Sequence, residues 1–212
     1  MPFFIFKTRK YLTFKDEISE HFVRYKSLYC LFWCFVAAGF IVGIIAGVNK
    51  STGNELEFMP DAITFKFLTS NLSVWQLFLS RLFSMIGMFV LVWILCLNRW
   101  SSLLCLLLIL FCSFVFGATC AVLICHFRLV GFLNVIFCYF PCRLLSLFCL
   151  ICFCAVSVKY SFENHLFGCS VCCRDYFSAN LVCICAVILL LFLACLIEIL
   201  IFPWLSAVII IN

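Results

Sequence analysis

The sequence predicts an all-α, polytopic integral membrane protein with five transmembrane helices and a short re-entrant or interfacial segment before the fourth. Two observations carry that expectation. The 212 residues are 67% hydrophobic and 11% charged, against about 25% charged in an ordinary globular domain, so too few polar groups exist to cover a soluble surface. The mean hydropathy of +1.28 has the same meaning. Charge-free runs of about 20 residues, the length that crosses a hydrocarbon core, also recur between short charged stretches.

Residues 1–26 read as a charged cytoplasmic segment. Phe14, Ile18, Phe22 and Tyr25 recur there at three- and four-residue spacing, which predicts an amphipathic helix leading into the membrane. Residues 27–212 form the transmembrane domain. No charge falls between Lys26 and Lys50, which sets span one at about 28–48. Residues 49–80 are the one sizeable polar stretch and the expected outer loop. Glu55, Glu57 and Asp61 make its first half acidic, and Pro60 stops any helix there. From Ile63 to Leu79 apolar residues return at helical spacing, with Trp75 suited to an interface anchor.

Arg81 and Arg99 bracket span two, at about 82–98. Span three runs over about 102–125 and ends at His126 and Arg128. The next apolar stretch, LVGFLNVIFCY, is too short to cross. Pro141 lacks the amide proton of a helix interior but suits a first turn, so span four is expected to start there and run over about 142–158. The half-segment before it then lies along the interface or re-enters; a sixth span is the alternative. Span five covers about 179–202.

Lysine and arginine near the span ends set the orientation. With the N-terminus inside, the cytoplasm receives Lys7, Arg9, Lys10, Lys15, Arg24, Lys26, Arg99, Lys159 and Arg174, and the outside receives Lys50, Lys66, Arg81, Arg128 and Arg143. Nine against five favours that arrangement in a multi-pass protein of the cell membrane. The first apolar run starts too late, and without a small-residue cleavage pattern, to read as a secretory signal.

Eighteen cysteines would mark a disulfide scaffold in a small secreted chain, but most lie inside apolar runs and none in residues 49–80. They read as small packing hydrophobes. HLFGCSVCC brings His165 together with Cys169, Cys172 and Cys173 but offers no second ligand pair, and Cys120, Cys125 and His126 make a thinner group still. No metal or other cofactor is expected. No basic tract is dense enough for nucleic acid. Paired carboxylates, a Ser–His–Asp set, a phosphate loop and a metalloprotease motif are all missing, so no catalytic residue is expected.

Two features stand out inside the spans. AGFIVGIIAG puts Gly39, Gly43 and Gly47 on one helical face, a spacing that lets two backbones approach closely. The facing helix belongs either to this chain or to a partner, a second copy in a homo-oligomer included. ACLIEILIFPWL carries Glu198, the one acid expected within a span. A carboxylate at that depth persists when it is paired, neutralised or used. Arg143 begins span four on the same side and is its expected partner, with Arg81 next in line.

The order of these features resembles the stage II sporulation protein M family. FGATCAVLICHFRLVGFLNVIFCYFP, with glycines at 117 and 131 and a proline opening the next helix, is similar to that family's third helix, short loop and half-segment. LIEILIFPWL, a glutamate with a proline five residues later, is similar to its last helix, and Gly39, Gly43, Gly47 and Asn49 to its first. The resemblance runs from about Lys15 onward. It implies that Gly117 is a further packing glycine and that Gly131 and Pro141 mark the half-segment and the helix start. Many relatives carry a histidine and then an acid after the proline; this chain has Cys142 and Arg143. The resemblance implies a non-enzymatic membrane anchor or scaffold of sporulation, engulfment and cell wall remodelling, holding membrane-bound peptidoglycan hydrolases at the septum. A transporter or permease membrane subunit is the alternative. Glu198 and the proline-broken segment suit it, but polar residues inside the spans are scarce.

Overall fold

A computed structural model describes residues 22–23, 25–51, 74–96, 100–165, 181 and 184–197. Helix α1 spans Lys26–Ser51, α2 Val74–Cys96 and α3 Ser101–Asn134. A π-helical turn, Val135–Tyr139, leads into α4, Phe140–His165, and a shorter apolar helix, α5, covers Ile184–Ile197. Among the described residues, four helices are long and apolar enough to cross a bilayer, over Lys26–Lys50, Phe78–Leu95, Ser101–His126 and Phe140–Phe162. Lipid offers no hydrogen bonds, so a backbone inside it must satisfy its own amides and carbonyls. Long runs of Leu, Phe, Ile and Cys therefore coil into helices without needing an amphipathic pattern.

These windows coincide with the first four spans expected from the sequence. The amphipathic segment up to residue 21, the loop at 52–73, and Glu198 with everything after it lie outside the described residues. Trp75, expected on a separate interfacial helix, sits in the first turn of α2 itself.

Contacts fix the relative directions. Gly39, Gly43 and Gly47 of α1 meet Leu110, Phe114 and Ala118 of α3 step for step, so these two helices run parallel. Phe40 packs edge-on to Phe140 at 6.3 Å, while the Lys159 ammonium lies 5.4 Å from the Tyr25 ring centre, so α4 is antiparallel to α1. Phe89 meets Phe153 at 5.0 Å further along α2 and α4, while Arg81 and Arg143 lie together nearer their starts. Helices α2 and α4 are therefore parallel to each other.

Helix α4 is the axis of the bundle. Of its crossing window 67% is buried, against 17% for α2. Cys149, Cys152, Cys154, Ala155 and Ser157 keep its surface slim, which lets neighbours close in where lipid supplies no hydrophobic drive between helices. Tyr25 just before α1, Tyr29 and Phe32 of α1, Val92 of α2, Cys105 and Ile109 of α3, and Val187 and Leu191 of α5 pack around it. The cysteines in this core are free thiols filling space.

Within α3 the helix breaks at Arg128, and the chain reverses there on its way to α4. Arg128 adopts φ 49°, ψ −121°, a conformation that costs an L-residue about 1–3 kcal/mol. Past it, Val135 and Tyr139 fold back onto Phe116, Cys120 and Leu123. The half-segment expected here is helical and runs without a gap through the π-turn into α4. Pro141 is the second residue of α4. The wider π-turn just before it makes room for the ring and for the amide that proline lacks. Gly131 is buried in this hairpin and Pro141 faces outward.

Candidate functional site

The glycine face of α1 is occupied from within the chain. A Cβ on Gly39 would stand 2.6 Å from the Leu110 carbonyl oxygen, and one on Gly47 would stand 2.7 Å from that of Ala118. On Gly43 it would strike the Phe114 carbonyl, and on Gly117 that of Phe40. No side chain fits at these distances, so the two backbones touch directly along about two turns. Of the two occupants the sequence left open for this face, α3 of the same chain takes it. These glycines therefore offer no groove to a partner helix or a second copy.

A cavity of about 300 Å³ lies between α2, α3 and α4. Arg81 and Ser84 enter it from α2, Tyr139 from the π-turn, and Arg143 and Ser146 from α4. One or two turns further along the same helices the lining becomes Met85, Met88, Phe89 and Leu150, facing Phe111 and Cys112 of antiparallel α3. The cavity thus has a polar end and an apolar end. Arg81 is 3% exposed and Arg143 half-buried. The Arg143 guanidinium carbon lies 5.3 Å from the Tyr139 ring centre, within cation–π range. The Ser146 hydroxyl donates its one proton to the Cys142 carbonyl at 2.9 Å, so only its acceptor side is left for the cavity.

Both arginines fall in the first two turns of their crossing windows, at the same end of the bundle. An arginine at the centre of a lone membrane helix costs roughly 2.5–3.5 kcal/mol on insertion scales. Near a helix end its long stem reaches the interface and the cost falls. Glu198, the expected partner of Arg143, lies outside the described residues.

Comparison with family models, curated proteins and solved structures finds no match for this chain. What the cavity does is therefore a question of its own chemistry. Two guanidiniums, a phenol and the Ser84 hydroxyl can recognise an anion, and the apolar arm can hold hydrocarbon. Within the four crossing windows no Asp or Glu occurs. Among the described residues no three His, Cys, Asp or Glu side chains are placed to hold a metal ion. Cys120 is buried on α3 while Cys125 is exposed, and Cys169, Cys172 and Cys173 lie outside the described residues.

The sequence placed Arg81 and Arg143 on one side of the membrane, each as a partner for Glu198. It did not show Tyr139, Ser84, Ser146 or the methionine arm sharing a cavity with them. One signal was available. Arg81-Leu-Phe-Ser84 and Arg143-Leu-Leu-Ser146 share the pattern Arg-Leu-x-Ser near the start of two helices that run in the same direction.

Proposed function

We propose that this chain is a non-enzymatic scaffold of the cell membrane, acting as the stage II sporulation protein M family that its sequence resembles. In this reading it crosses five times, with a cytoplasmic N-terminus and the half-segment after Arg128 re-entering from the outer side. It anchors membrane-bound peptidoglycan hydrolases at a septum, as in engulfment during sporulation. The observation that carries the reading is the backbone-to-backbone seam of α1 on α3. A contact that tolerates no methyl group holds two crossings as one body, which suits a platform better than a machine whose halves rock. With the glycine face used internally, partner helices are left the outward faces, such as Ile41, Val42 and Ile45 of α1 and Phe83, Ile86 and Val90 of α2. Holding partners there concentrates them in two dimensions.

A transporter or permease subunit is the second reading, and the arginine-lined cavity favours it for an anionic substrate. Affinity purification of the tagged chain after in-cell crosslinking separates the two. The scaffold reading expects membrane-anchored wall hydrolases in the eluate and no solute flux in proteoliposomes. Flux of an organic anion, with no wall enzyme recovered, would replace it with the transporter.

A further inference from the structure

We infer that the cavity between α2, α3 and α4 binds an anionic phospholipid, its phosphate at Arg81 and Arg143 and the upper part of one acyl chain along Met88 and Phe89. The inference stands whether or not the chain is a scaffold. Its basis is the match between the cavity's polarity and that of a lipid. The arginines lie at one end of the crossing windows, where head groups sit, and the lining turns to methionine and aromatic side chains toward the bilayer centre. A soluble anion would have no use for that apolar arm.

The two Arg-Leu-x-Ser stretches run in parallel, so two guanidinium forks share one pocket, with the Ser84 hydroxyl as a further donor. Planar guanidiniums pair with phosphate oxygens two at a time, and a phosphate diester offers two oxygens to share between them. Access is lateral. Helix α2 packs on α4 more than on α3, and the lining residues Ser84 and Phe111 are both exposed on the lipid-facing surface. A volume of about 300 Å³ accommodates a phosphate and the first methylenes of one chain, leaving the rest of the lipid in the bilayer.

The test uses the purified full chain in a neutral detergent. Native mass spectrometry and thermal unfolding are run with phosphatidylglycerol, with phosphatidylcholine and with water-soluble glycerol phosphate. Phosphatidylglycerol is expected to bind one per chain and to raise Tm, at least about tenfold more tightly than phosphatidylcholine, with glycerol phosphate inert. Arg81→Gln and Arg143→Gln should each remove about tenfold of that preference. If either variant fails to fold, the wild type still decides the matter. Phosphatidylglycerol carrying a photoreactive acyl chain should label the peptides around Met85–Phe89 or Phe111–Val115, and unlabelled phosphatidylglycerol should compete it away. Equal binding of the two lipids, unchanged affinity in both variants, or labelling centred on Ile41 and Ile45 would overturn the site. An effect of glycerol phosphate equal to that of the lipid would assign the pocket to a soluble anion instead.

Discussion

Gly43 and Gly87 are both helical glycines, and they differ in what a methyl group would meet. At Gly43 it would strike the Phe114 carbonyl and lie 2.9 Å from the Ala118 amide nitrogen, while at Gly87 nothing lies within 4 Å. Alanine removes backbone freedom from the unfolded chain, a gain of up to about 1 kcal/mol where space allows. Against a rigid neighbouring backbone the same methyl forces the helices apart, at a cost of about 1–3 kcal/mol. Gly43→Ala is therefore expected to destabilise, Gly87→Ala to be neutral or stabilising, and Val42→Leu on the exposed face of α1 to change little. Unfolding of the purified variants in detergent measures all three. Equal losses at Gly43 and Gly87 would mean that the seam plays no part in stability. The spacing of Gly39, Gly43 and Gly47 made a close helix contact legible in the sequence; the identity of the neighbour was not.

At the scale of elements, the α3–α4 hairpin depends on one residue in an unfavourable conformation and on one widened turn. Arg128 is exposed at φ 49°, so its side chain does not explain its backbone. Glycine adopts that region without steric cost, and a β-branched residue is the worst choice there. Arg128→Gly should leave the free energy of thermal unfolding unchanged or raise it by up to about 1 kcal/mol, the relief of strain being partly offset by the entropy of a freer unfolded chain. Arg128→Val should lower it. A glycine variant as damaged as the valine variant would show that the arginine side chain, not the turn, holds the hairpin. Sequence patterning identified a break near His126 and Arg128 because charge returns there. It set the next helix at Pro141, whereas the chain is helical well before it, because a π-turn relaxes the constraint that proline usually imposes.

For the whole molecule, the packing directions constrain the topology. Parallel α1 and α3 bring Lys50 and His126 to one end of the bundle, and antiparallel α4 carries Lys159 to the other. Topology reporters at Lys50 and His126 should read as external, and those at Arg99 and Lys159 as cytoplasmic. With five crossings, a reporter at the C-terminus should also read as external. A cytoplasmic C-terminus would remove the fifth crossing or add a sixth, and with it the placement of Glu198 beside the arginines.

The sequence by itself determined that the described residues are helical and, to within a few residues, where four helices long and apolar enough to cross a membrane lie. Each of those properties is local. A backbone in lipid closes its hydrogen bonds four residues away, so an uncharged run of sufficient length decides its own conformation. Only the tertiary structure decided which helix lies in the glycine groove of α1, and that Arg81 and Arg143 share a cavity with Tyr139 and Met88. Helices that are apolar all round carry no stripe pointing to a neighbour. Between them lipid supplies no hydrophobic drive, so partners are chosen by the fit of surfaces that come together only once the bundle has formed.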